Sequence, residues 1–140
     1  MARGADTRTS QVNVDEFVNY FRPFLQEGKD ILHLTLSSGI SGVYNSAKIA
    51  AEDLSEEFPD RKIYIVDSLC ASSGFALIMD KLAELRDAGK TIDELRVFAE
   101  DNKKKVHHWF FTDTLEYLVS AFIRPKKEPS APIVPEEEEE

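Results

Sequence analysis

Apolar residues recur along this chain in two different periods. Val14, Phe17, Val18, Phe21 and Phe24 fall three or four apart, the spacing of one helix face. Asn13 stands just before them, and Glu16 three residues later completes a capping box. Gly28 stops the run, and Pro23 predicts a kink or a restart near Phe21. Residues 31–36, Ile-Leu-His-Leu-Thr-Leu, form a nearly unbroken apolar run, the pattern of a strand buried on both faces of a parallel sheet. Ser37-Ser38-Gly39-Ile40-Ser41-Gly42 follows as a hydroxyl-rich loop. Helical spacing then returns at Val43, Ala47, Ala50, Leu54 and Phe58, until Pro59 and Asp60 end it. Ile63-Tyr64-Ile65-Val66 is a second strand, with Asp67-Ser68 at its carboxyl end. Strand, helix and strand at this spacing make a βαβ unit with a right-handed crossover.

Phe75, Ile78, Leu82 and Leu85 line one face of a long helix that Gly89 terminates. Thr91 and Glu94 make a second capping box, opening a helix through Ile92, Leu95, Phe98 and Ala99. That helix ends in Lys103-Lys104-Lys105, where cations complement the helix dipole, so the lysines need no nucleic-acid explanation. Residues 106–112, Val-His-His-Trp-Phe-Phe-Thr, read as a third strand, and residues 113–122 as a short helix. Four prolines and a closing run of five glutamates then spread along a polar stretch that cannot bury enough apolar surface to order itself. The expected organisation is one α/β domain over residues 1–123, a small, mostly parallel sheet with flanking helices. A disordered, acidic Pro/Glu-rich tail is expected over residues 124–140.

With 42% hydrophobic residues the chain can bury a core. A net charge of −9 opposes non-specific binding to nucleic acid or to anionic membrane surfaces. No apolar run approaches the ~20 residues of a membrane span, and the first residues carry no apolar core of a secretion signal. Cys70 is the single cysteine, which suits a reducing, cytoplasmic setting.

The loop at residues 37–42 carries the candidate chemistry. A strand–loop–helix junction in an α/β protein points free N–H groups and partial positive charge at a ligand. Gly39 and Gly42 allow positive φ or a close backbone approach, and Ser37, Ser38 and Ser41 offer hydroxyls to a carboxylate or phosphate. Helix capping alone accounts for fewer serines than are present. A hydrolase elbow needs Gly-x-Ser-x-Gly, but Val43 occupies the last position. No lysine follows Gly42 to make a P-loop, and no third glycine completes a dinucleotide fingerprint. Asp67 could assist Ser41 as a base, but its simpler role is ordering the loop. His107 and His108 would point to opposite faces of a strand, so no metal or other cofactor is expected.

The stretch Thr9-Ser10-Gln11, the loop 37–42 with Val43-Tyr44-Asn45-Ser46-Ala47 after it, then Ile65-Val66-Asp67-Ser68 and Ala71-Ser72-Ser73-Gly74, resembles the DegV family of bacterial fatty-acid-binding proteins. The resemblance covers about Thr9 to Thr112. It implies a DegV-like α/β fold and a non-enzymatic carrier that holds one long-chain fatty acid. The carrier presents the carboxylate to a fatty acid kinase, which supplies the catalysis. Carried over residue by residue, the head-group contacts are Thr9 and Ser41, with Ser38 and Gly42 beside them on the loop. Family members have a further strand before the Thr-Ser-Gln stretch and a second half after the third strand. The resemblance therefore implies a piece of the fold, cut at both ends, that exposes apolar surface and self-associates. The readings in other classes are a small serine hydrolase or phosphotransferase using Ser41, and an inactive truncated fragment.

Overall fold

The computed structural model describes residues 10–109. Within them the order is α1 (Val14–Gln26), β1 (Ile31–Thr35), α2 (Val43–Glu57), β2 (Ile63–Asp67), α3 (Ser72–Asp87) and α4 (Ile92–Asn102), closed by a 3₁₀ turn at Lys103–Lys105. β1 and β2 pair in parallel, Ile31 opposite Ile63 and Thr35 opposite Asp67. The βαβ unit read from the sequence is thus present, with β1 one residue shorter and β2 one residue longer than the apolar runs.

Alternation along the two strands divides the core into two layers. Ile31, Ile63 and Ile65 pack with Phe17, Phe21, Leu25, Ala47, Ala50 and Leu54, under α1 and α2. Leu34 and Val66 face the other way, onto Ile78 and Leu82 of α3 and Leu95 and Ala99 of α4. Small alanines on α2 let α1 approach closely, and Phe17 and Phe21 fill the space with their rings 5.5 Å apart. An Arg22–Glu57 ion pair of 2.8 Å ties the ends of the two helices on the surface. On the opposite face Asp93 accepts the Tyr64 hydroxyl at 2.6 Å and pairs with Lys62, while Arg96 lies over the Tyr64 ring.

Both capping boxes form: the Asn13 side chain accepts the Glu16 N–H and the Thr91 side chain accepts the Glu94 N–H, with each glutamate returning the bond. Gly28 and Gly89 follow their helices with φ of 76° and 85°, the left-handed region that only glycine enters without cost.

Two expectations are corrected. Of the kink or restart expected near Phe21, the restart does not occur: α1 runs as one helix through Pro23 to Gln26. Phe21 and Leu25 are buried on either side of the proline, and their packing outweighs the one missing backbone donor. The third strand does not form in the part that is described. Val106 packs against the α3–α4 core, but residues 106–109 pair with neither strand, and His107, His108 and Trp109 are exposed. Trp109 is 96% exposed. Residues 110–112 of that expected strand, the expected helix at 113–122, the tail and Thr9 lie outside the described residues. No helix among the described residues is long and apolar enough to cross a membrane.

Candidate functional site

Both strands end at the same edge of the sheet, and the loops that follow them are laced together. Ser37 N–H donates to Cys70 O at 3.0 Å, and Ser68 N–H donates to Thr35 O at 3.3 Å. Asp67 closes the join: its Oδ1 accepts Ser38 N–H at 3.1 Å and Leu69 N–H at 3.0 Å. Burial alone would raise the Asp67 carboxyl, but contacts from Ser38 and the Leu69 N–H outweigh it and hold the group below the usual carboxylate range. Ser68 is fully buried, and its Oγ accepts Cys70 N–H at 3.0 Å. Burial and then the charge of Asp67 push the neighbouring Cys70 thiol up, away from the reactive thiolate.

The serine loop winds on Ser37. Its carbonyl accepts Ile40 N–H at 3.0 Å and Ser41 N–H at 3.1 Å, and its Oγ accepts Gly39 N–H at 3.2 Å. Ser41 Oγ accepts Val43 N–H at 3.2 Å, so the Ser41 oxygen faces the first turn of α2. Gly42 is the N-cap of α2 and supplies no side-chain bond there. α1 and α4 each carry two acidic residues in the first turn, whereas α2 carries none. The positive end of α2 is therefore not neutralised by its own side chains.

The loop forms one lip of a 770 Å³ cleft. Val12, Phe17, Leu34, Val43 and Phe75 are among its apolar walls, and Ser10, Gln11, Ser41 and Gly42 line its polar side. Leu36 and Ile40, 40% and 47% exposed, also face it. His33 borders the same cleft from β1, edge-on to Phe17 and Phe21. Burial among these rings pushes its imidazole down, so it is neutral at pH 7.

The expected site residues fall as follows. Ser41 and Gly42 come together at the cleft. Ser38 is exposed on the same loop, with its N–H committed to Asp67. Gly39 and Gly42 do not take positive φ. Gly42 has φ of −77°, and what it provides is space: a Cβ there would stand 2.8 Å from Gln11 Oε1. Asp67 hydrogen-bonds the serine loop through Ser38 and not through Ser41. Among the described residues no cluster of three or more His, Cys, Asp or Glu side chains is placed to hold a metal ion.

Two features were not read from the sequence. Gln11 donates through Nε2 to Ser46 Oγ at 3.0 Å and so brings the segment before α1 against α2. Its place in Thr9-Ser10-Gln11 was the only signal. Leu69 and Ser72 have φ of 55° and 47° without being glycines. Left-handed backbone at ordinary residues costs about 1–3 kcal/mol and gathers at functional sites. Nothing in their residue types announces it.

Comparison with known proteins agrees with this geometry. The family described as "Uncharacterised protein, DegV family" matches residues 1–121. A DegV domain-containing protein of Clostridium perfringens is 42% identical over 118 residues, covering 84% of this chain and 40% of the relative. The solved structure "Fatty Acid Binding of a DegV family Protein from Thermus thermophilus" superposes with a TM-score of 0.70 at 30% identity, over 84% of this chain and 40% of that one. The Streptococcus pneumoniae Fatty Acid Kinase (Fak) B3 protein, solved loaded with linoleic acid, superposes with a TM-score of 0.60 at 30% identity, over 68% of this chain and 32% of that one. The chain thus spans about two fifths of the length of the curated relatives it matches. With the family match over residues 1–121 and a relative 42% identical over 84% of the chain, the chain belongs to the DegV family.

Proposed function

We propose that this chain binds the carboxylate of a long-chain fatty acid at loop 37–42, for presentation to a fatty acid kinase, and performs no chemistry itself. The observation that carries the reading is the cleft that has Ser10, Gln11, Ser41 and the start of α2 on its polar side and Val12, Phe17, Leu34, Leu36, Ile40 and Phe75 among its apolar walls. A fatty acid has the same division, one charged end and a long apolar body. Ser41 keeps its hydroxyl hydrogen for the head group, since the oxygen already accepts Val43 N–H. Ser38 is a further contact on the same loop, and at Gly42 the missing side chain makes room for Gln11 beside the start of α2. Thr9 belongs to the segment whose next residues, Ser10 and Gln11, line the cleft. The acyl chain runs out over Val12, Leu36 and Ile40, gaining about 0.8 kcal/mol for each CH₂ it buries.

The relatives support the ligand and the partner class, one as a fatty-acid-binding DegV protein and one as a fatty acid kinase B protein loaded with linoleic acid. The hydrogen bonds support a carrier over a hydrolase: Asp67 spends its Oδ1 on Ser38 and Leu69, and among the described residues no side-chain base bonds to Ser41. The same reading puts the chain in the cytoplasm with Cys70 reduced. Self-association through exposed apolar surface belongs to it as well, and light scattering measures it.

The test is titration with a fluorescent long-chain fatty acid. A hydrogen bond to a charged group is worth about 1.5–3 kcal/mol, so Ser41→Ala should weaken binding tenfold or more. Equal affinities for the two proteins would remove Ser41 from the site.

A further inference from the structure

We infer that Asp67 is a positioning residue for the head-group loop, fixing the place of Ser41 through the two strand-end backbones without touching the ligand. The inference rests on the reading of loop 37–42 as the carboxylate site. Asp67 is the last residue of β2, and its side chain reaches sideways to the loop that leaves β1. One atom, Oδ1, accepts both Ser38 N–H and Leu69 N–H. Ser38 is the residue after Ser37, and Ser37 is the hub on which Gly39, Ile40 and Ser41 hang by their N–H groups. A displacement at Ser38 is therefore passed to Ser41 within one turn of chain. The bond to Leu69 holds the second loop, where the left-handed backbone at Leu69 would otherwise relax toward an ordinary conformation. That loop in turn presents Cys70 O to Ser37 N–H, so both of its ends bear on the same hub.

Because both backbone bonds fall on one oxygen, the carbonyl of an asparagine can still accept them, more weakly than the carboxylate, while the negative charge that the Ser38 side chain and Lys103 also meet is lost. That charge lies behind a site that receives a carboxylate, where it opposes the guest. Geometry and charge therefore act in opposite directions on affinity. Removing the acceptor should loosen Ser41 and weaken binding, whereas keeping it while removing the charge should leave binding as tight or tighter. A residue that served stability alone would not produce this order.

The experiment compares the full chain with Asp67→Ala, Asp67→Asn and Ser41→Ala. It uses titration with the same fluorescent fatty acid and hydrogen exchange at the Ser38 and Leu69 amides. Asp67→Ala should bind tenfold or more weakly and exchange both amides faster. Asp67→Asn should rescue both, with affinity at or above that of the parent. Unchanged affinity and protection in Asp67→Ala would overturn the inference, as would an Asp67→Asn protein that binds as weakly as Asp67→Ala. Where Asp67→Ala does not fold, Asp67→Asn against the parent still decides, since weaker binding with intact protection contradicts the assignment. Release of the two amides only in Asp67→Ala, with no fatty acid bound even by the parent, would refute the head-group reading and leave the loop-fixing role of Asp67 in place.

Discussion

The two loops at the carboxyl edge of the sheet reverse the usual association of glycine with irregular backbone. Loop 37–42 holds two glycines, yet neither takes a positive φ. The segment after β2 holds no glycine between Asp67 and Ser72, yet Leu69 and Ser72 are both left-handed. In the first loop glycine serves for what it lacks, a side chain, at the point where Gln11 crosses Gly42. In the second, the conformation is imposed by side chains around it, Asp67 on Leu69 and Ser68 on Cys70. A relaxed loop leaves its hydroxyls for a guest. A strained one is held by bonds that a guest does not need to supply.

The comparison can be broken most severely at Asp67. Asp67→Ala strands two backbone donors, each costing about 1–3 kcal/mol where water does not replace the partner, so the melting temperature should fall by several degrees. The same residue sets an acid limb. Its folded carboxyl titrates below the unfolded one, so its contribution is complete above about pH 4 and drains away as pH falls through the folded value. Asp67→Asn should flatten that limb, and acid unfolding followed by circular dichroism would show it.

A smaller effect sharpens the contrast at Leu69. Leu69→Gly relieves the left-handed backbone but loosens the unfolded chain by about 0.4–1 kcal/mol. The net expectation is a stabilisation on the order of 0.5 kcal/mol, and clear destabilisation in urea would mean that φ of 55° carries no strain there. The smallest effect belongs to Gly42. With φ of −77° the backbone accepts alanine, and the Gln11 amide is the end of a flexible side chain that can move aside. Gly42→Ala should change stability by less than about 0.5 kcal/mol while Gln11 gives up its bond to Ser46.

What the sequence disclosed follows from which signals are local. The helix starts at Asn13 and Thr91 were legible because a capping box lies within four residues. The parallel pair was legible because two apolar runs flank a helical one. The run at residues 106–112 misled because aromatic and apolar residues fit a strand by propensity alone. A strand needs a paired edge, and over the described residues 106–109 only Val106 finds a place in the core. Pro23 misled in the opposite sense as far as a restart goes, since tertiary packing on Phe21 and Leu25 carries the helix past it. At the site, Ser41 and Gly42 were legible from the strand–loop–helix order. The hydrogen bond from Ser38 N–H to Asp67 Oδ1 was not, because the two residues are 29 apart and meet only when the strands register.

Trp109, the single tryptophan, stands 96% exposed beyond the 3₁₀ turn. An indole in that position already emits as it would from water, so its fluorescence should barely shift when the core melts. Tyr64, with its hydroxyl on Asp93 and Arg96 across its ring, is instead a chromophore whose surroundings vanish on unfolding. Among the described residues the second strand therefore carries an optical reporter of folding, while the brightest fluorophore stays silent.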